Sequence, residues 1–252
     1  MEIKDKKIDI LGVMVNEVDY HQAMEIFQRI MDEPTCSLIA TPNSEIIVNS
    51  IKDRELKKIL DSASIVVPDG IGIVYASKIM GHSLKERVTG IDFLSRIISY
   101  LEENNKSIYF LGSKREILDL AISNLKTKHP KLIVAGMHDG YFSEKDEENI
   151  VNEINMSRAD FLCVALGSPK QEKFIYKYID KLNPRAAMGV GGSLDVFSGT
   201  LKRAPEFYRN NGLEWLYRLM QQPSRYKRMG ALPIFMIRVF ISRIKNRTKG
   251  KD

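Results

Sequence analysis

An α/β fold, with a mostly parallel sheet and helices on both of its faces, is what this sequence predicts. Short apolar runs alternate regularly with longer segments of helical period, the pattern of strand–helix–strand units. Turn-forming strings rich in Gly, Pro, Asn and Thr stand where the apolar runs end and helices begin. After Gly199 the alternation stops and only helical segments follow. The 252 residues are therefore read as a Rossmann-like core over 1–200 and a helical appendage over 201–252.

In chain order, strands are expected at 7–15, 36–40, 64–67, 107–111, 131–135, 161–166 and 185–190. The helices between them carry start and stop signals. Asp19 with Gln22, and Ser143 with Asp146, have the spacing of capping boxes. The helix over about 114–128 stops before His129-Pro130, because the residue ahead of a proline disfavours the helical conformation. In the appendage, breaks are expected near Gly212, Pro223 and Pro233. Residues 231–241 are apolar except for Arg238 and have basic flanks. Such a segment is too short to span a bilayer; it suits a helix in the membrane interface, or one packed on the core.

Composition narrows the function classes. A hydrophobic content of 44% with 28% charged residues fits a soluble globular chain. The charge is uneven: residues 201–252 hold 13 Lys/Arg against 3 Asp/Glu, and residues 1–200 hold 25 against 29. A basic tail predicts a polyanionic partner, whether membrane phosphates, a diphosphate or nucleic acid. Cys36 and Cys163 fall inside apolar runs and read as reduced core residues. The first residues lack the apolar run of a signal peptide. A cytoplasmic location is expected.

Four sets of polar residues fall at or beyond strand ends, where open α/β sheets bind ligands. Thr41-Pro42-Asn43-Ser44-Glu45 follows the second run and can face a crevice or simply cap a helix. Asp69, with Gly70 and Gly72, follows the third; it reads as a base for proton transfer or as a cap. Arg87-Val88-Thr89-Gly90-Ile91-Asp92 reads as an anion or sugar site or as a helix entry. Gly167-Ser168-Pro169-Lys170-Gln171-Glu172 and the glycine-rich 189–199 follow the last two runs and could cradle a phosphate. The dinucleotide fingerprint fails, because no second strand with an acidic residue follows. Asp-x-Asp, Gly-x-Ser-x-Gly, the Walker loop and His-Glu-x-x-His do not occur either, so no metal site is expected.

Taken together, TPNSEII, VPDGIGIV, RVTGIDF, GSPKQE, GVGGSLDVFSG, RAP and GLEWLYRL resemble the WecG/TagA/CpsF glycosyltransferase family from about residue 8 to about residue 228. Within it they are most similar to the N-acetylmannosaminyltransferase branch of wall teichoic acid synthesis. The resemblance implies transfer of N-acetylmannosamine from its UDP form to undecaprenyl-diphosphate-linked N-acetylglucosamine, with inversion and no cofactor. It implies Asp69 as general base, and Thr41, Asn43, Arg87 and Gln171 around the sugar. It further implies Gly191, Gly192 and Asp195 at the nucleotide, with Arg218, Arg225 and Arg228 on the acceptor diphosphate. The three arginines share one helical face only if Pro223 does not interrupt the helix. An anionic membrane surface is the expected partner, placing the chain on the inner face of the cell membrane, and a homo-oligomer is plausible because its apolar surface would self-associate without lipid. Two alternatives stay open: a different UDP-sugar donor, such as UDP-N-acetylmannosaminuronic acid or UDP-glucose, and a non-catalytic nucleotide- or nucleic-acid-binding protein. In the last case Tyr208, Trp215, Tyr217 and Tyr226 would stack on bases.

Overall fold

The computed structural model describes residues 6–82, 84, 86–223 and 230–249. The chain opens with an antiparallel hairpin, β1 (Lys7–Ile10) and β2 (Val13–Asn16). One strand over 7–15 was expected, but Leu11 and Gly12 both take positive φ, at 55° and 90°, and turn the chain back on itself. The core then runs α1 (Tyr20–Asp32), β3 (Ser37–Ala40), α2 (Ser44–Lys52), α3 (Arg54–Ser62), β4 (Ile65–Val66), α4 (Ile71–Ile79) and α5 (Gly90–Glu103). It continues with β5 (Ser107–Gly112), α6 (Arg115–Lys128), β6 (Ile133–His138), α7 (Glu147–Met156), β7 (Phe161–Ala165), α8 (Lys170–Tyr178), β8 (Ala186–Gly189) and α9 (Ser193–Phe197). The appendage supplies α10 (Glu206–Asn210), α11 (Glu214–Gln221) and α12 (Ala231–Lys249).

Strands β3 to β8 form a six-stranded, all-parallel sheet in the order β4-β3-β8-β7-β5-β6. Alternate residues of each strand enter opposite cores, as the period of two requires. Leu38, Val66, Leu111 and Val164 join the hairpin and the apolar sides of α2, α3, α4, α7 and α8. Ile39, Ile65, Phe110 and Cys163 join α1, α5, α6 and α9 on the other face. The doubly covered sheet explains why its strands read as continuous apolar runs.

The capping signals divide. Asp19 and Gln22 form the reciprocal box at the start of α1. Ser143 and Asp146 do not: both the amide and the hydroxyl of Ser143 donate to the Asp146 carboxylate, and α7 starts at Glu147. Pro233 does not break the last helix either. It stands in the first turn of α12, where its missing N–H has no intrahelical partner to lose.

α12 packs on α2 and α4. Phe235 and Val239 are fully buried in the same core as α2 and α4, and the Arg243 Nη1 donates to the Met80 carbonyl at 3.0 Å. Its opposite side is also apolar, with Ile234, Ile237, Phe240, Ile241 and Ile244 exposed. Spacings of three and four align these residues on one stripe, with Arg238 and Lys245 along its edge. Among the described residues, no helix is long and apolar enough to cross a membrane.

Candidate active site

Because all six strands run parallel, their carboxyl ends share one edge. The loops leaving them converge on a cavity of about 660 Å³. Thr41, Asp69, Ser113, Gly140, Ser168 and Gly191, one from the loop after each of β3 to β8, line it. The appendage supplies the remaining wall through Glu214, Trp215 and Arg218 of α11 and Ala231 and Leu232 of α12. Gly212 fixes this approach: its φ is +69°, and a Cβ there would lie 2.7 Å from Ile71 Cγ1.

Asp69 is brought to the cavity by a sharp turn. After β4 the Val67 N–H still donates to Ala40, and the Asp69 N–H then folds back to the Val67 carbonyl at 3.0 Å. Gly70, with φ of +93°, is the N-cap of α4, which has no side-chain cap. Asp69 therefore does not serve as the helix cap. Its carboxylate instead accepts from the Gly90 N–H. Burial pushes its pKa up to about 6, against the opposing pull of Arg87, Arg218 and the Gly90 N–H, and with a further push from Glu214. A carboxyl group tuned close to neutral pH suits proton abstraction.

Arg87 and Arg218 meet at one carboxylate. Arg87 Nη2 donates to Glu214 Oε2, and Arg218 Nη2 donates to Glu214 Oε1 at 2.9 Å. Glu214 is buried, and the two cations hold its pKa down despite that burial. The Arg87 Nε is buried without a hydrogen-bond partner among the described residues, a donor suited to an oxygen of a bound ligand. A second charged cluster lies beside the first. Arg203 Nη2 donates to both oxygens of Asp92 at 2.5 Å, while Thr89 Oγ1 and the Tyr20 hydroxyl donate to the same carboxylate.

The remaining candidates line the same cavity. Thr41 packs against the start of α5 so closely that a Cβ on Gly90 would lie 3.1 Å from its Oγ1 and 3.6 Å from Asp69 Oδ2. Asn43 caps α2, accepting from the Ile46 N–H at 3.0 Å, and also faces the cavity. Gln171 is buried with both ends of its amide engaged: Oε1 accepts from the Gly191 N–H at 3.0 Å, and Nε2 donates to Glu172 at 2.9 Å. It thus braces the glycine loop as well as lining the cavity. Gly191 has φ of +50°, and nothing lies within 4 Å of where its Cβ would be. Gly192 and Asp195 follow at the start of α9. Arg225 and Arg228 lie outside the described residues.

Glu214 and Arg203 were not among the expected site residues, and Asp92, part of the candidate anion or sugar string, had no expected partner. Glu214 had a signal, since it precedes Arg218 by four residues on a helix, the spacing at which opposite charges meet. Its contact with Arg87, 127 positions away, had none.

The glycosyl transferase WecG/TagA/CpsF family profile matches residues 8–249. An N-acetylglucosaminyldiphosphoundecaprenol N-acetyl-beta-D-mannosaminyltransferase of Bacillus spizizenii is 36% identical over 209 residues, covering 83% of this chain and 80% of that protein. The Bacillus subtilis protein of the same name is 35% identical, covering 83% and 81%. One from Staphylococcus aureus is 32% identical over 235 residues, covering 92% of both.

Proposed function

The chain belongs to the WecG/TagA/CpsF glycosyltransferase family, and from that premise we propose that it is an N-acetylmannosaminyltransferase. The donor is UDP-N-acetylmannosamine. The acceptor is the 4-hydroxyl of N-acetylglucosamine on undecaprenyl diphosphate, in the linkage unit of wall teichoic acid. The names of the relatives from Bacillus and Staphylococcus support the transferred sugar and the lipid acceptor. The single observation that carries the chemistry is the Asp69 carboxylate, released from capping duty, facing a cavity and tuned to about 6.

In this reading Asp69 accepts the acceptor hydroxyl proton as that oxygen attacks the anomeric carbon, and the opposite bond to UDP breaks with inversion. The electron pair of that bond leaves on the diphosphate. Arg87 stabilises the charge there, beside Thr41, Asn43 and Gln171 around the sugar and Gly191, Gly192 and Asp195 at the nucleotide. Arg218, with Arg225 and Arg228, engages the diphosphate of the lipid. The exposed apolar stripe of α12, edged by Arg238 and Lys245, rests on the anionic inner face of the cell membrane and brings the cavity to the lipid.

Purified protein incubated with a prenyl-diphosphate N-acetylglucosamine and each candidate UDP-sugar tests the proposal. A lipid product heavier by one N-acetylhexosamine with UDP-N-acetylmannosamine supports it. Product only with another donor overturns the choice of sugar, and no product with any donor overturns the proposal.

A further inference from the structure

We propose that Glu214 is a positioning residue: this one buried carboxylate from the appendage holds Arg87 of the core and Arg218 of its own helix side by side next to Asp69. The inference rests on reading the cavity as a transferase site, and it assigns a role to a residue that contacts the reacting atoms only through others.

Three observations lead to it. Glu214 is the only buried side chain among the described residues of α10 and α11, so the group these two helices bury most deeply is a charged one. Each Glu214 oxygen takes one Nη2, from a different arginine. Two like-charged guanidiniums would repel each other at this separation, so an anion between them is what allows both to face one cavity. Each guanidinium has five N–H donors, and the bond to Glu214 leaves others to turn toward a ligand; the Arg87 Nε is already buried without a partner among the described residues. The charged groups acting on this carboxylate are Arg218, Arg87 and Arg203, and those acting on Asp69 are Arg87, Arg218 and Glu214. Glu214 thus sits at the centre of the electrostatics of the site without itself being the base.

Glutamine at this position separates positioning from bulk. Its carbonyl can serve one arginine, but its amide then presents N–H groups to the other, donor against donor. Arg218, the more exposed of the two with its side chain 38% accessible against 17% for Arg87, is the one released. In the transferase assay we expect Glu214→Gln to raise KM for the lipid acceptor by about 10–10²-fold with kcat changed far less, the scale of losing one charge-assisted contact to the acceptor diphosphate. Adding Arg218→Ala to that variant should then cost less than about threefold more, because residues acting as a unit are non-additive. Effects of the two substitutions that multiply would overturn the proposal. An independent arm uses nitrogen-15 guanidinium spectra of the full chain, with Arg87→Lys and Arg218→Lys for assignment. Separate Nη signals for both arginines in the unmodified protein, and averaged Arg218 signals in Glu214→Gln, support the proposal. Averaged signals for both arginines before any change at Glu214, or unchanged signals after it, overturn it. This arm needs no turnover, so absence of transferase activity would sink the functional reading while leaving the role of Glu214 decidable.

Discussion

Asp69 shows how one residue reconciles fold and chemistry. Its folded pKa of about 6 exceeds the ordinary 3.8, so protonation favours the native state. The stability this group contributes is fully present below about pH 4 and is lost as pH rises through about 6. Asn at this position removes that penalty. We predict that Asp69→Asn melts no lower than the unmodified protein at pH 8, while turnover falls by about 10²–10⁴-fold. A thermal melt and a rate measurement on the same sample check both halves. For the proposed catalysis the sign is opposite: Asp69 accepts a proton only when ionised, so kcat/KM should fall tenfold per pH unit below about pH 6. A flat profile from pH 7 to pH 5 would remove Asp69 from the role. The turn was legible in the sequence as Pro-Asp-Gly, but not whether the carboxylate caps α4; only the chain path, with Gly70 as N-cap, separates the two readings.

At the level of elements, α12 carries two apolar faces, one buried in the core and one exposed. The inner face is a packing problem. Replacing fully buried Phe235 with Ala should destabilise the fold by about 3–5 kcal/mol through lost burial and a residual cavity, measured by denaturant unfolding. The outer face is not. Ile237→Glu with Ile241→Glu should leave the melting temperature nearly unchanged, since both are exposed, yet abolish sedimentation with anionic vesicles. Retained vesicle binding would exclude this stripe as the membrane contact. The helical composition of 231–241 predicted either a membrane-surface helix or a core-packed one; an apolar sequence around most of the circumference accommodates a core face and an exposed face together. The strands were legible because both sheet faces are covered. The initial hairpin was not, since Leu11 has no side-chain feature that announces a positive φ.

Across the whole molecule, the charge asymmetry and the strand-end cavity act together. The basic appendage contributes to the wall of the cavity and also carries the exposed stripe; in the proposed function this arrangement lets a lipid-linked acceptor reach Asp69 without leaving the membrane surface. Vesicle binding should therefore weaken with rising salt, as screening removes the contribution of the Lys and Arg residues while the apolar contact persists. Salt-independent binding would leave the basic tail without that role. The strand-end strings were visible in the sequence because the parallel sheet gathers its carboxyl ends on one edge. What joins the appendage to them, Glu214 to Arg87 and Arg203 to Asp92, spans 127 and 111 positions, beyond the reach of any local pattern.

The central claim is that the carboxylate of Asp69 activates a lipid-borne sugar hydroxyl. Mass analysis of the lipid after incubation with UDP-N-acetylmannosamine, for the unmodified protein and for Asp69→Asn side by side, tests it most directly. The account predicts one added N-acetylhexosamine with the former and almost none with the latter over the same time. Equal product from both proteins would contradict it.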